Sequence, residues 1–127
     1  MNNKDTICPV CEEHFFEFSY DYDICPNCGW ENDGLQRINR DFWGGANALS
    51  ANESRKVYIL LQDNPTKAKV SEILRRHNER RTEIYAKFRG IDHRTIESER
   101  CRQEFERAHN EFVAELDSLW KAKEKNK

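Results

Sequence analysis

Apolar side chains return at three- and four-residue steps through the second half of the chain: Val70, Ile73, Leu74, His77, Ile84, Tyr85 and Phe88. That is the period of a helix with one buried face. It predicts a long helix beginning near Pro65, which suits a first turn because its missing N–H is not needed there, and closing at Gly90 as a C-cap. After Gly90-Ile91-Asp92 a second stripe follows through Ile96, Cys101, Phe105, Ala108, Phe112, Leu116, Leu119 and Trp120. Two helices of ~25 residues joined by so short a turn pack as an antiparallel hairpin. Leu74, Phe88, Phe105 and Phe112 are its expected core, and the Lys-rich tail from Lys121 is expected to fray.

The first half has another rhythm. Phe15, Phe16, Phe18, Tyr20 and Tyr22 alternate with polar residues, the period-two pattern of β-structure, and predict a short hairpin. Asp41 to Leu49 reads as a tight bend with aromatic anchors. Ser50-x-x-Glu53 is a capping box, and Val57, Tyr58, Leu60 and Leu61 then follow at helical spacing, so a helix is predicted over Ala51–Gln62. Asp63-Asn64-Pro65 ends it. The chain is thus expected to divide into residues 1–62 and 63–127.

Chemistry concentrates beside the aromatic run. Cys8-Pro9-Val10-Cys11 and Cys25-Pro26-Asn27-Cys28-Gly29 are two C-x-x-C pairs separated by thirteen residues. Two such turns deliver four thiolates to one ion, the donor set of a structural Zn²⁺ site, and four protein ligands leave no open position for catalysis. Gly29 supplies the positive φ that lets backbone N–H groups turn toward sulfur. The same donors serve iron as well as zinc. A disulfide reading needs an oxidising compartment, and no signal-peptide pattern precedes Cys8, so a cytoplasmic location is expected. A redox reading needs one pair in a βαβ context, which the pattern lacks. His14 is read as a loop or strand residue because the cysteines already fill the shell. Cys101 is read as a small packing residue, His77 as part of the helical stripe, and His93 and His109 are assigned no chemistry.

The predicted fold class is therefore a small metal-binding ribbon, a short β-hairpin with two zinc knuckles, followed by an all-α region ending in a long antiparallel helical hairpin. At 127 residues with 35% charged side chains, the chain builds a thin core rather than a deep substrate cavity. No apolar run approaches the ~20 residues of a membrane helix. The net charge of −2 conceals a division: residues 1–53 carry three basic side chains against ten acidic, net −7, and the rest carries eighteen against thirteen, net +5. An acidic metal module repels a phosphate backbone.

Several stretches together resemble the bacterial Cys-rich CPCC family. They are Cys8-Pro9-Val10-Cys11, the run from Asp23 to Asp33 containing Ile-Cys-Pro-Asn-Cys-Gly-Trp-Glu-Asn-Asp, Gly44-Gly45-Ala46-Asn47 with Leu49, and Arg55 to Tyr58. The resemblance spans residues 7–62. Where the family's first knuckle has an extra cysteine, this chain has Val10, which leaves Cys8, Cys11, Cys25 and Cys28 as the ligand set. It implies small bacterial proteins, some of them among toxin-neutralising immunity proteins, and brings no catalytic residues. The helical region after Pro65 lies outside it and reads as an addition.

No nucleophile–base pair or phosphate-binding Gly-rich loop is visible, so the chain is expected not to be an enzyme. The favoured expectation is a protein-binding protein, an immunity factor or adaptor, that meets a basic partner through Asp21, Asp23, Glu31 and Asp33. The alternative is nucleic-acid binding through Arg75, Arg76, Arg80 and Arg81. Glu72, Glu79 and Glu83 lie at helical pairing distance from these arginines, which favours a solvated, ion-paired face.

Overall fold

The Ser50 hydroxyl accepts a hydrogen bond from the Glu53 N–H at 3.1 Å while the Glu53 carboxylate accepts from the Ser50 N–H at 2.9 Å. This reciprocal cap starts a helix at Ala51. In the computed structural model, which describes residues 6–92 and 94–125, the helices are α1 (Gly34–Ile38), α2 (Ala51–Leu61), α3 (Asn64–Lys87) and α4 (Ile96–Lys125). The chain divides after Gln62 into two compact units. His93 lies outside the described residues.

In the first unit the expected β-hairpin ribbon is not formed among the described residues. Two isolated antiparallel bridges stand in its place, Ile7 with Phe15 and Ile24 with Glu31, one closing each cysteine pair. The reason is local competition for backbone groups. Asp21 accepts from the N–H groups of Phe18 (3.4 Å) and Asp23 (3.1 Å), and the Asn32 amide takes the Phe18 carbonyl at 2.8 Å. Tyr22, at φ 58°, breaks the extended run. Three groups a ladder would use are thus spent on side chains, and the backbone bonds that do form, Tyr22 N–H to the Asn32 carbonyl at 3.1 Å and Asn32 N–H to the Asp23 carbonyl at 2.8 Å, do not extend into strands. The aromatic alternation consequently buries Phe16 and leaves Phe15, Phe18, Tyr20 and Tyr22 exposed.

The core of this unit gathers Cys8, Val10, Cys11, Phe16, Cys25, Trp30 and Ala51, with Cys28 and Tyr58 packed against it. α1, only five residues long and too short to show a period in sequence, is capped by Asp33, which accepts from the Leu35 N–H at 2.8 Å and the Gln36 N–H at 3.4 Å.

In the second unit, ion pairs join rising positions of α3 to falling positions of α4: Arg76–Glu115 at 3.0 Å, Arg80–Glu111 at 3.2 Å and Lys87–Glu104 at 3.0 Å. The hairpin is antiparallel. Val70, Ile73, His77 and Ile84 from α3 and Ala108, His109, Phe112 and Leu116 from α4 are its buried residues. His77 stacks on Phe112 at 4.5 Å between centroids, and His109, assigned no chemistry from sequence, is a buried packing residue 6.4 Å from His77.

The expected stripes hold at the centre of the hairpin and loosen toward its turn. Phe112 is buried, whereas Leu74, Phe88 and Phe105 are half-buried, and Tyr85 is exposed with its ring 4.8 Å from Phe105. Ile96, placed on the stripe by its spacing, is 77% exposed. Lys87 closes α3 and already faces Glu104, so the first turns of α4 have no opposing helix to cover them. The C-cap of α3 is Phe88 rather than Gly90, with its N–H on the Ile84 carbonyl. The tail expected to fray continues α4 to Lys125. Cys101 is half-buried; burial and then the Glu104 carboxylate push its thiol pKa up.

Candidate metal centre

The pentapeptide Ile-Cys-Pro-x-Cys occurs twice, at residues 7–11 and 24–28, and both copies fold alike. In each, the N–H of the first cysteine donates across the bridge, Cys8 to the His14 carbonyl at 2.7 Å and Cys25 to the Trp30 carbonyl at 2.8 Å. In each, the residue after the second cysteine donates back to the first cysteine's carbonyl, Glu12 to Cys8 and Gly29 to Cys25, both at 2.9 Å. That residue has positive φ in both copies, 58° at Glu12 and 83° at Gly29. Glycine adopts this conformation without strain and Glu12 does not.

The two turns face each other sulfur to sulfur. Cys8 Sγ lies 3.5 Å from Cys28 Sγ and Cys11 Sγ lies 3.7 Å from Cys25 Sγ, so each close pair takes one sulfur from each copy. All four sulfurs lie within 4.8 Å of one another. Metal–sulfur distances of ~2.3 Å give a tetrahedron with edges of ~3.8 Å, which the two close pairs match while the other spacings stay within 4.8 Å. The four cysteines can hold one metal ion. His14 is not among the donors; its ring meets Phe16 edge-on at 4.9 Å.

Electrostatics at the sulfurs differ by position. Burial pushes the Cys8 thiol up to about 11 against the opposing backbone N–H groups of Cys11 and Val10. Cys28 is pushed up as well, first by burial and then by the Cys8 sulfur beside it, against the Trp30 N–H. At Cys11 burial also opposes ionisation, but the Asn27 amide, the Glu13 N–H and the neighbouring thiols outweigh it and bring the thiol to about 7. These N–H donors are what a negatively charged tetrathiolate needs around it.

Residues 6–67 match the family model described as cysteine-rich CPCC. This segment is a cysteine-rich CPCC module. No curated protein and no solved structure gives a significant match to the chain. The CPCC segment ends in the first turns of α3, so residues 68–127 lie beyond it.

Within the CPCC segment the motif residues outside the cysteines build a buried polar frame. Asn32, fully buried, donates to the Phe18 carbonyl and to Asp21, both at 2.8 Å, and accepts from Arg37 Nη2 at 2.6 Å and Nε at 3.1 Å. Arg37 in turn donates to the Ile7 carbonyl at 2.6 Å, next to Cys8, and stands over the Phe16 and Trp30 rings. Gln36, also fully buried, donates to the carbonyls of Phe42, Asn47 and Leu49. Asn47 bonds both backbone groups of Glu31, at 2.9 and 2.7 Å. Gly45 is required by close approach: a Cβ there would stand 2.6 Å from Asp33 Oδ2. From α2, Arg55 donates to the Val10 carbonyl at 2.7 Å and pairs with Glu12 at 3.2 Å, gripping the first knuckle. Sequence reasoning assigned no role to Gln36, Arg37 or Arg55. A polar or charged residue type reads the same in sequence whether its side chain is buried or solvated, so nothing in the spacing singled them out.

The four carboxylates assigned to a partner are placed unequally. Asp33 is 4% exposed and accepts from Leu35, Gln36 and Ala46 N–H groups, so it belongs to the frame. Asp21 is half-buried and its pKa is lowered; burial opposes this, and hydrogen bonds from Asn32, Asp23 and Phe18 prevail. Glu31 is half-buried and Asp23 is exposed. In the second unit each of the four arginines is engaged. Arg75 lies between Glu72 and Glu79, Arg76 reaches Glu115, Arg80 reaches Glu111, and Arg81 stacks over Tyr85 and Phe105 at 5.6 and 5.7 Å.

Proposed function

We propose that the chain is a non-catalytic, zinc-stabilised protein-binding protein that engages a basic partner, as a toxin-neutralising immunity factor or an adaptor does. One Zn²⁺ is held by Cys8, Cys11, Cys25 and Cys28, and with four protein thiolates it has a structural role, supplying folding free energy to the first unit. The observation that carries the zinc reading is the sulfur geometry, with edges of 3.5 and 3.7 Å across the two turns. The protein-binding reading is supported by the −7 charge of residues 1–53 and by the arginines of α3, which are paired with carboxylates or stacked on rings rather than left as a bare phosphate-binding stripe. Free cysteines and the absence of an apolar helix long enough to cross a membrane, among the described residues, accord with a cytoplasmic setting.

Elemental analysis of protein purified without added metal should return one zinc per chain, and zero metal sinks the zinc reading. Filter binding to DNA and RNA at physiological salt should show no retention. Retention lost on charge reversal at Arg75, Arg76, Arg80 and Arg81 replaces the protein-binding reading with the nucleic-acid one.

A further inference from the structure

The first unit leaves several large apolar side chains exposed beside the start of α1 that its own core does not use. Phe18 and Tyr20 are 52% and 68% exposed, with ring centroids 6.3 Å apart. Tyr20 lies against the start of α1, where a Cβ on Gly34 would stand 3.1 Å from Tyr20 Cβ. Leu35 follows at once, 67% exposed, and Ile38, 85% exposed, shares its helix face at i+3. Scattered apolar residues on a surface are ordinary, but two neighbouring rings set against the helix turn that carries two further exposed apolar side chains are what an interaction face offers.

Charge decides what covers it. Glu17 and Asp23, both exposed, flank the aromatic run, and neither carboxylate has an ion pair among the described residues. The surrounding residues 1–53 carry net −7, so a second copy laid face to face would bring two strongly acidic surfaces together. The arginines of α3 are already engaged within their own unit. We infer that the face formed by Phe18, Tyr20, Leu35 and Ile38, rimmed by Glu17 and Asp23, docks a basic amphipathic segment of another protein. Apolar anchors of that segment cover the rings and the Leu35–Ile38 ridge, while its lysines or arginines meet the two free carboxylates. Asp33, buried as the cap of α1, takes no part. The inference rests on the protein-binding reading above and specifies its surface.

A random sixteen-residue peptide library displayed on phage, selected against the metal-loaded full chain, tests it. Enriched peptides should combine Lys or Arg with large apolar residues. A synthetic copy of the leading peptide should bind roughly thirtyfold or more weakly to the Tyr20→Ala/Leu35→Ala double variant, the scale of losing buried anchors. It should weaken with added salt, and weaken again with Glu17→Lys/Asp23→Lys. Tyr85→Ala, an exposed ring on α3, should leave binding unchanged. Every variant alters exposed side chains, and unchanged metal content and melting temperature establish that each is folded. Acidic or purely polar enriched peptides overturn the inference. Basic peptides indifferent to the Tyr20 and Leu35 substitutions overturn this face and leave the protein-binding reading standing. A library that yields no binder, with DNA or RNA retained instead, overturns both. Concentration-dependent dimers abolished by the double variant make a second copy the occupant and overturn the basic partner.

Discussion

Asn32 shows how much one side chain can decide in a unit this small. Its amide fixes the loop that replaces the expected hairpin, and its oxygen accepts two hydrogen bonds from the buried Arg37 guanidinium. Removing it with Asn32→Ala leaves a buried charge short of its acceptor and a carbonyl short of its donor. Hydrogen bonds to charged groups are worth about 1.5–3 kcal/mol, so a loss of about 3 kcal/mol or more is expected in urea unfolding followed by tryptophan fluorescence. Asn32→Asp does not rescue it. The carboxylate suits Arg37, but it has no donor for the Phe18 carbonyl and stands against Asp21, which accepts from the Asn32 amide at 2.8 Å. If Asn32→Asp proves as stable as the natural residue, Arg37 rather than the loop is what Asn32 serves.

Elements differ in how completely their faces are used. α3 and α4 pack best at their centre, where Phe112 is 2% exposed and stacks on His77, and least near the turn, where Phe105 is half-buried and packs on the exposed Tyr85. The two phenylalanines therefore separate by cost. Phe112→Ala leaves a cavity and should cost about 3–5 kcal/mol, whereas Phe105→Ala should cost clearly less because water already reaches its site. Thermal unfolding of the metal-loaded chain, followed by helical circular dichroism, measures both. Equal losses contradict the graded packing.

Taken whole, the chain combines a unit whose four cysteines can hold a metal, and whose stability on the proposed reading depends on it, with one built from helix packing. Chelation at neutral pH should abolish the near-ultraviolet signal of Trp30 while most helical ellipticity, which α3 and α4 dominate, persists. Protons compete for the same sulfurs. Without metal, the Cys8 thiol at about 11 and the raised Cys28 thiol hold their protons at neutral pH, and Cys11 titrates near 7. Binding metal expels those protons, so apparent affinity rises with pH and falls as pH drops from 8 to 6. Each proton released contributes about tenfold per pH unit. A chelator competition series across that window reads the slope, and a flat profile means the thiols are already ionised.

Much of this was legible in the chain itself, because it was written in spacing. Two C-x-x-C pairs define a donor set whatever the loop between them does, a capping box fixes the start of α2 through bonds made within four residues, and helical periods name α3 and α4. Each rests on contacts between near neighbours. The hairpin failed for the opposite reason. Its alternation was real, but β-structure needs a run of free backbone groups, and the side chains of Asp21 and Asn32 had claimed those of Phe18 and the N–H of Asp23. The same tertiary competition sent Asp33 inward as a cap, turned Gln36 and Arg37 from apparent surface residues into the frame behind the sulfurs, and left Ile96 uncovered past the end of α3. Sequence by itself determined which atoms could bind a metal and where the helices run. Only the folded chain decided which polar groups are buried and which apolar ones remain exposed, since burial depends on which distant segments come to lie opposite.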